Sequence, residues 1–170
     1  DNGPWSQFKH HAGKATPLRG SKGQHTEGGQ RVPCVMWAPG CIPAGTSTEA
    51  FCSTMDLLPT FAKLAGVELK TRGPIDGMDI SAVMHGQNES PRDEMLYYSS
   101  RGDLKGLRQG DWKLLRLGKE EKLHLFNLDA DISEKRNLAD SMPERVTAMQ
   151  ASMVELDQAV EAGVRPRGRL

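Results

Sequence analysis

The chain has 170 residues, 37% of them hydrophobic and 26% charged, with a mean hydropathy of -0.54, the size and balance of a soluble globular domain. Its 22 Lys and Arg equal its 22 Asp and Glu, so no overall basicity marks a nucleic-acid partner and no overall acidity marks a disordered tail. No apolar run approaches the roughly 18 to 20 residues that span a bilayer, and the opening residues are polar rather than a charged-then-apolar leader, so no membrane span is expected.

Three cysteines, Cys34, Cys41 and Cys52, are too few and too odd in number for a disulfide framework, although one bridge stays open. The chain opens on Asp1-Asn2-Gly3-Pro4-Trp5 without a methionine, followed by glycines at 13, 20, 23, 28 and 29. A loop of this kind belongs to a larger framework that positions it, and a piece of a longer polypeptide is expected.

Residues 1–31 carry Lys9, Lys14, Arg19, Lys22 and Arg31 against Asp1 and Glu27, a basic loop region. Residues 31–37 (RVPCVMW) form a short apolar run before Pro39-Gly40 and read as a buried strand, with Pro33 confining it to a strand start or an edge. Residues 56–65 place Leu57, Leu58, Phe61, Leu64 and Ala65 on one helical stripe, with Gly66 at a left-handed cap. Pro59 sets the register: with Asp56 as N-cap it falls in the first turn, where its missing N–H needs no partner.

A Gly- and Pro-rich loop over 70–79 leads to Ile80, Val83 and Met84, one helical turn ending at Gly86, and residues 87–93 read as a linker. Strands are predicted over 95–99, 104–109, 111–117 and 122–128, with Gly110-Asp111 as a two-residue hairpin turn. The antiparallel sheet is closed by a helix over 142–162, opened by a Ser141/Glu144 capping box. Its Val146, Met149, Met153, Leu156 and Val160 step by threes and fours, so one apolar stripe can lie on the sheet. Acidic residues dominate 129–161 and read as a solvated helix face, and residues 164–170 read as a frayed basic tail.

Chemistry concentrates in Leu18-Arg19-Gly20-Ser21-Lys22-Gly23 and the following Glu27-Gly28-Gly29-Gln30-Arg31. Glycines on both sides of Lys22 let backbone approach a ligand, and the ammonium is a compact charge suited to a phosphate or sulfate oxygen. Composition alone also fits a solvated turn, and the Walker A spacing is absent. Asp1-Asn2 offers two hard oxygen ligands for Ca²⁺ or Mg²⁺, or simply a turn. His10, His11 and His25 lack a cysteine at zinc-ligand spacing and read as surface or substrate-groove histidines. Asp129, Asp131 and Ser133 mimic an EF-hand opening, but Glu134 stands where that loop needs glycine, so a turn is expected. Cys41 reads as a plain loop thiol.

Taken together, Asp1-Asn2-Gly3, LRGSKGQHTEGGQRVP (18–33), MDLLPTFAKLAG (55–66), IDGMD (75–79), GLRQGDWKLL (106–115) and LFNLDADISEKRNLAD (125–140) resemble, in order and spacing, the C-terminal part of a type I, formylglycine-dependent sulfatase. The resemblance implies an alkaline-phosphatase-like α/β fold. Residues 1–92 would belong to the catalytic domain, and 93–170 would form a C-terminal subdomain of antiparallel sheet plus helix. It implies hydrolysis of a sulfate ester on a sulfated small molecule or glycan, by a formylglycine lying upstream of this chain, beside Ca²⁺ (or Mg²⁺). Asp1 and Asn2 would be two metal ligands, and Lys22 would bind a sulfate oxygen and offset charge in the transition state.

Glu27 and Arg31 would act less directly, with a loop-anchoring ion pair as the preferred role, and His10, His11 and His25 would be substrate subsite residues. The implied partner is the N-terminal half of the same polypeptide, and the implied compartment is exported: periplasmic, extracellular or lysosomal. Two readings compete: a phosphonate monoester hydrolase or phosphodiesterase of the same superfamily, and a non-catalytic sulfatase-like binding module. Apolar surface should be exposed where a main sheet would continue. Because two of several metal ligands cannot hold Ca²⁺ tightly, the 170-residue chain alone is expected to be inactive; detectable hydrolysis of an aryl sulfate by this chain in isolation would refute that.

Overall fold

The computed structural model describes residues 2–71, 73–87 and 89–164, so Asp1 and most of the basic tail lie outside the described residues. Among the described residues, four α-helices, α1 (Glu27–Gln30), α2 (Leu57–Leu64), α3 (Ser81–Met84) and α4 (Pro143–Ala162), accompany four strands, β1 (Glu94–Tyr98), β2 (Leu104–Gln109), β3 (Trp112–Leu117) and β4 (Lys122–Asn127). The chain divides into two compact units, Asp1–Cys34 with Glu94–Val160, and Val35–Asp93 with Glu161–Leu170.

In the first unit the strands form one antiparallel sheet in the order β1-β2-β3-β4. Gln109 pairs with Trp112, so Gly110-Asp111 is the expected two-residue turn, with Gly110 at φ 56°. Alternation sends Leu107, Leu114 and Leu125 to one face, where Val146, Met149 and Met153 of α4 cover them. The predicted stripe holds through Leu156, but Val160 is exposed. Tyr97, Leu115, Phe126 and Leu128 occupy the opposite face. Between Tyr97 and Leu115 the sheet carries Gly106, where a Cβ would meet the Leu114 carbonyl and a Leu115 methyl, both at 2.5 Å.

The second unit corrects several expectations. Residues 31–37, which straddle the boundary, enter no strand, and Val35 and Trp37 are 94% and 85% exposed, because no strand among the described residues pairs with them. In α2 the apolar stripe points outward, with Leu58, Phe61 and Leu64 exposed, while Thr60 is buried. The Thr60 hydroxyl donates to the Asp56 carbonyl and accepts the Ile80 N–H, which turns this polar side of the helix inward. Gly66 is the left-handed cap, at φ 67°.

Asp56 stands at the N-cap position of α2, as expected, but its backbone is already helical and its side chain makes no cap bond to that helix. Ser53 caps a 3-10 turn, Thr54–Asp56, that runs into α2, and Asp56 closes a capping box by accepting the Ser53 N–H at 2.7 Å. The same carboxylate accepts the Met78 N–H and pairs with the Arg92 guanidinium, which also reaches the Asp76 carbonyl at 2.7 Å. Arg92 is therefore a buried anchor rather than part of a solvated linker.

Burial alone would raise the Asp56 carboxyl, but Arg92 and the N–H groups of Met78 and Ser53 hold it below its ordinary 3.8. A carboxyl depressed in the folded state contributes stability that is complete above about pH 4 and is lost as pH falls through the folded value. Asp56→Ala should therefore destabilise the fold by about 3–5 kcal/mol at neutral pH, by leaving Arg92 buried without its partner. Thermal melts should show this penalty shrinking below about pH 4, and a variant melting like the parent at pH 7 would contradict the assignment.

Candidate functional site

The second sheet face is polar at its centre. Lys113 of β3 is fully buried there, with Nζ 2.8 Å from Glu27 Oε1, 3.2 Å from Glu134 Oε1, and 4.8 Å from the Tyr97 ring centroid. Arg108 of β2 approaches Glu27 Oε2 at 4.0 Å. These charges draw the glycine-rich loop onto the sheet: Glu27 opens α1, and its N–H donates to Glu134 Oε2 at 2.7 Å. Glu27, expected with Arg31 in a loop-anchoring ion pair, is bound here by Lys113, which the sequence did not single out. Burial pushes the Glu134 carboxyl above its ordinary value while the Lys113 ammonium pulls it down. Burial, reinforced by the Glu27 charge, likewise raises the Tyr97 hydroxyl.

Glycine makes the loop possible. The Gly28 N–H donates to the Arg19 carbonyl at 2.7 Å, and a Cβ on Gly28 would stand 2.6 Å from that oxygen and 2.8 Å from the Gly20 carbonyl. Gly3 is pressed closer still: its N–H donates to the Gly29 carbonyl at 3.2 Å, and a Cβ there would lie 1.8 Å from the Gly28 oxygen. The segment that begins with Asn2 is thereby packed against the base of the Lys22 loop.

Lys22 sits on the crest, between Gly20 and Gly23 at φ 94° and 87°, conformations that a side chain would oppose. Its backbone N–H donates to the Pro4 carbonyl at 2.9 Å, and its exposed ammonium lies 5.2 Å from the Trp5 ring centroid. Among the described residues no carboxylate reaches it within ion-pair distance. An ammonium presented this way, unneutralised beside a rigid ring, is available to an anion. Trp5 was not foreseen; its place three residues after Asn2 was the available signal.

The remaining candidates are placed less centrally. His25 is half-buried, with Nε2 3.1 Å from the Tyr98 carbonyl oxygen, and Tyr98 Oη in turn donates to Asp157 of α4 at 2.7 Å. His10 and His11 end the exposed 3-10 turn Ser6–His11. A cavity of about 320 Å³ beside the loop is lined by Pro4, Lys9, Lys14, Gly20 and Ser21, so lysines rather than the neighbouring histidines face it.

Asn2 is an exposed amide, and Asp1 lies outside the described residues. Among the described residues no group of three or more His, Cys, Asp or Glu could hold a metal ion. Since Ca²⁺ takes roughly six to eight oxygens, the described residues do not by themselves make its site. The EF-hand mimic is a turn, as expected, but Glu134 within it is buried rather than solvated.

Residues 22–159 match the family described as N-sulphoglucosamine sulphohydrolase, C-terminal. Arylsulfatase A of Bos taurus is 34% identical over 85% of this chain and 33% of its own length. The structure of Ps i-CgsB in complex with k-i-k-neocarrahexaose is 30% identical with a TM-score of 0.74, over 87% of this chain and 33% of that one. The PsFucS1 sulfatase from Pseudoalteromonas sp. shares the fold at a TM-score of 0.82 and 24% identity, over 98% of this chain and 37% of that one.

The chain belongs to the sulfatase family and corresponds to its C-terminal part, with the α/β fold of that part. It spans about a third of the length of the relatives it matches. No helix among the described residues is long and apolar enough to cross a membrane.

Replacing Gly28 by Ala should force apart the base of the loop, at about 1–3 kcal/mol. Thermal unfolding checks the loss. A Gly28→Ala variant with parental stability would show that the close approach of backbone to backbone is not required.

Proposed function

We propose that this chain is the C-terminal part of a sulfuric ester hydrolase in which Lys22 binds a sulfate oxygen and stabilises charge developing in the transition state. The carrying observation is the exposed Lys22 ammonium, held between two left-handed glycines and unneutralised among the described residues. An ammonium fixed before the reaction needs no reorganisation as charge builds on the ester, which makes it worth more than a mobile one. The match of residues 22–159 to a sulphohydrolase family supports the reaction class.

In this reading Asp1 and Asn2 supply two oxygen ligands to a Ca²⁺ or Mg²⁺ ion, while the formylglycine and the other ligands come from the N-terminal half of the polypeptide. Bound, the metal would polarise the ester and favour the ionised nucleophile. His10, His11 and His25 border the substrate, and Lys9 and Lys14 bring positive charge to the adjoining cavity. The substrate is a sulfated small molecule or glycan; the relative solved with k-i-k-neocarrahexaose favours the glycan. Residues 1–92 belong to the catalytic domain and 93–170 to the C-terminal subdomain. An exported or lysosomal location accompanies this function.

Lys22→Ala in the full-length protein should lower kcat on an aryl sulfate by about 10²- to 10³-fold, roughly 2.7–4 kcal/mol of transition-state stabilisation. Undiminished turnover would remove Lys22 from the chemistry. Faster turnover of an aryl phosphate diester than of the sulfate would transfer the site to phosphoester hydrolysis.

A further inference from the structure

The loop that carries Lys22 is fastened at both stems to Glu134, far away in sequence, joined by Ser133 at one stem and by Lys113 at the other. At one stem, Ser133 Oγ donates to the Pro17 carbonyl at 2.7 Å and Arg19 Nη1 donates to the Glu134 carbonyl at 2.8 Å. At the other, the Glu27 N–H donates to Glu134 Oε2 at 2.7 Å, and Lys113 bridges Glu27 Oε1 and Glu134 Oε1. The Gly28 N–H on the Arg19 carbonyl then ties one stem to the other. Lys22 stands between these two fastenings.

Glu134 is an unusual residue to bury for stability alone. It adopts φ 50°, a left-handed conformation that glycine would take without strain, and Oε1 has no hydrogen-bond partner although the Lys113 ammonium is 3.2 Å away. Buried ion clusters seldom add more stability than apolar packing would, whereas their directional contacts hold one geometry against its neighbours.

We infer that Glu134 is a positioning residue for Lys22: with Lys113 and Glu27 it fixes the two stems of the loop and so aims the ammonium at the oxyanion. The inference rests on the reading of Lys22 as the sulfate-binding group. A shift of about 1 Å in a group that orients a reactant lowers turnover by around 100-fold, so a clamp at the base of this loop acts on catalysis without touching substrate. Glu134→Gln keeps the shape but removes the charge and replaces one oxygen by an NH₂ group, so the Lys113 ammonium loses one of its two carboxylates and the Glu27 N–H keeps its acceptor only if the remaining oxygen faces it.

The test is a double-mutant cycle in the full-length protein, following kcat and KM on 4-nitrophenyl sulfate and, independently of turnover, inorganic sulfate binding by calorimetry. Glu134→Gln should lower kcat about 10- to 100-fold with a folded protein by thermal melt, and should weaken sulfate binding. In a Lys22→Ala background the same substitution should change neither quantity further, because its effect runs through Lys22. A parental kcat in Glu134→Gln, or an equal loss in both backgrounds, would overturn the inference while leaving Lys22 in its role. Lys22→Ala with parental turnover and sulfate affinity would instead defeat the underlying reading. Should Glu134→Gln fail to fold, Ser133→Ala releases the Pro17 stem from the rim of the clamp. It should show a several-fold loss confined to the Lys22 background, and its absence counts against the clamp.

Discussion

A fully buried ammonium must be paired or lose its charge, and Lys113 is paired twice, with Glu27 and Glu134. The pairs join β3 to a loop 86 residues earlier, and the Glu27 N–H joins that loop to a turn 107 residues later. The glycine-rich segment has little apolar surface of its own, and α1 is a single turn too short to hold itself. Its position on the sheet therefore comes from charge and hydrogen bonding. Removing Lys113 would leave the buried carboxylates of Glu27 and Glu134 without their shared cation, which is a larger penalty than the net gain from the intact cluster.

The sheet and α4 were legible because their periodicities are uninterrupted. Strand alternation puts Leu107, Leu114 and Leu125 on one face, and the three-four spacing of Val146, Met149 and Met153 matches it. The same rule misleads at Lys113. In the run Trp112-Lys113-Leu114-Leu115 a lysine marks the face turned to water, until another segment covers that face and brings its own carboxylates. Glu134 was misjudged for the same reason. An acidic residue in an acidic stretch looks solvated, and its cation lies across the fold rather than beside it in sequence.

The second unit shows the converse. Apolar content at 31–37 and along α2 is plain in the sequence, but which side of a segment is covered depends on its neighbours. Thr60 and Asp56 turn inward because hydrogen bonds from Ile80, Met78 and Ser53, together with the Arg92 guanidinium, satisfy them there. Apart from Ser53, these partners lie 20 or more residues away, so an amphipathic stripe alone could not indicate which face would be buried. Val35 and Trp37 stay exposed because a strand has no way to satisfy its backbone without another strand beside it.

The candidate site was legible in its residue types and not in its support. Lys22 between glycines follows from the sequence, but the contact that brings the Asn2 segment beside it is a backbone fit, Gly3 against Gly28 and Gly29, which only the absence of side chains permits. A catalytic cation needs two things that conflict: an unneutralised charge at the surface and a rigid backbone beneath it. Apolar packing would supply rigidity by burying the segment, and a nearby carboxylate would supply it by quenching the charge. Here the counter-charges are buried one layer below, around Lys113, where they fix the loop's stems while the Lys22 ammonium remains exposed on the crest. Buried and exposed charge are thereby separated within one loop by its glycines, which let the backbone rise from Glu27 and Arg19 and return to them.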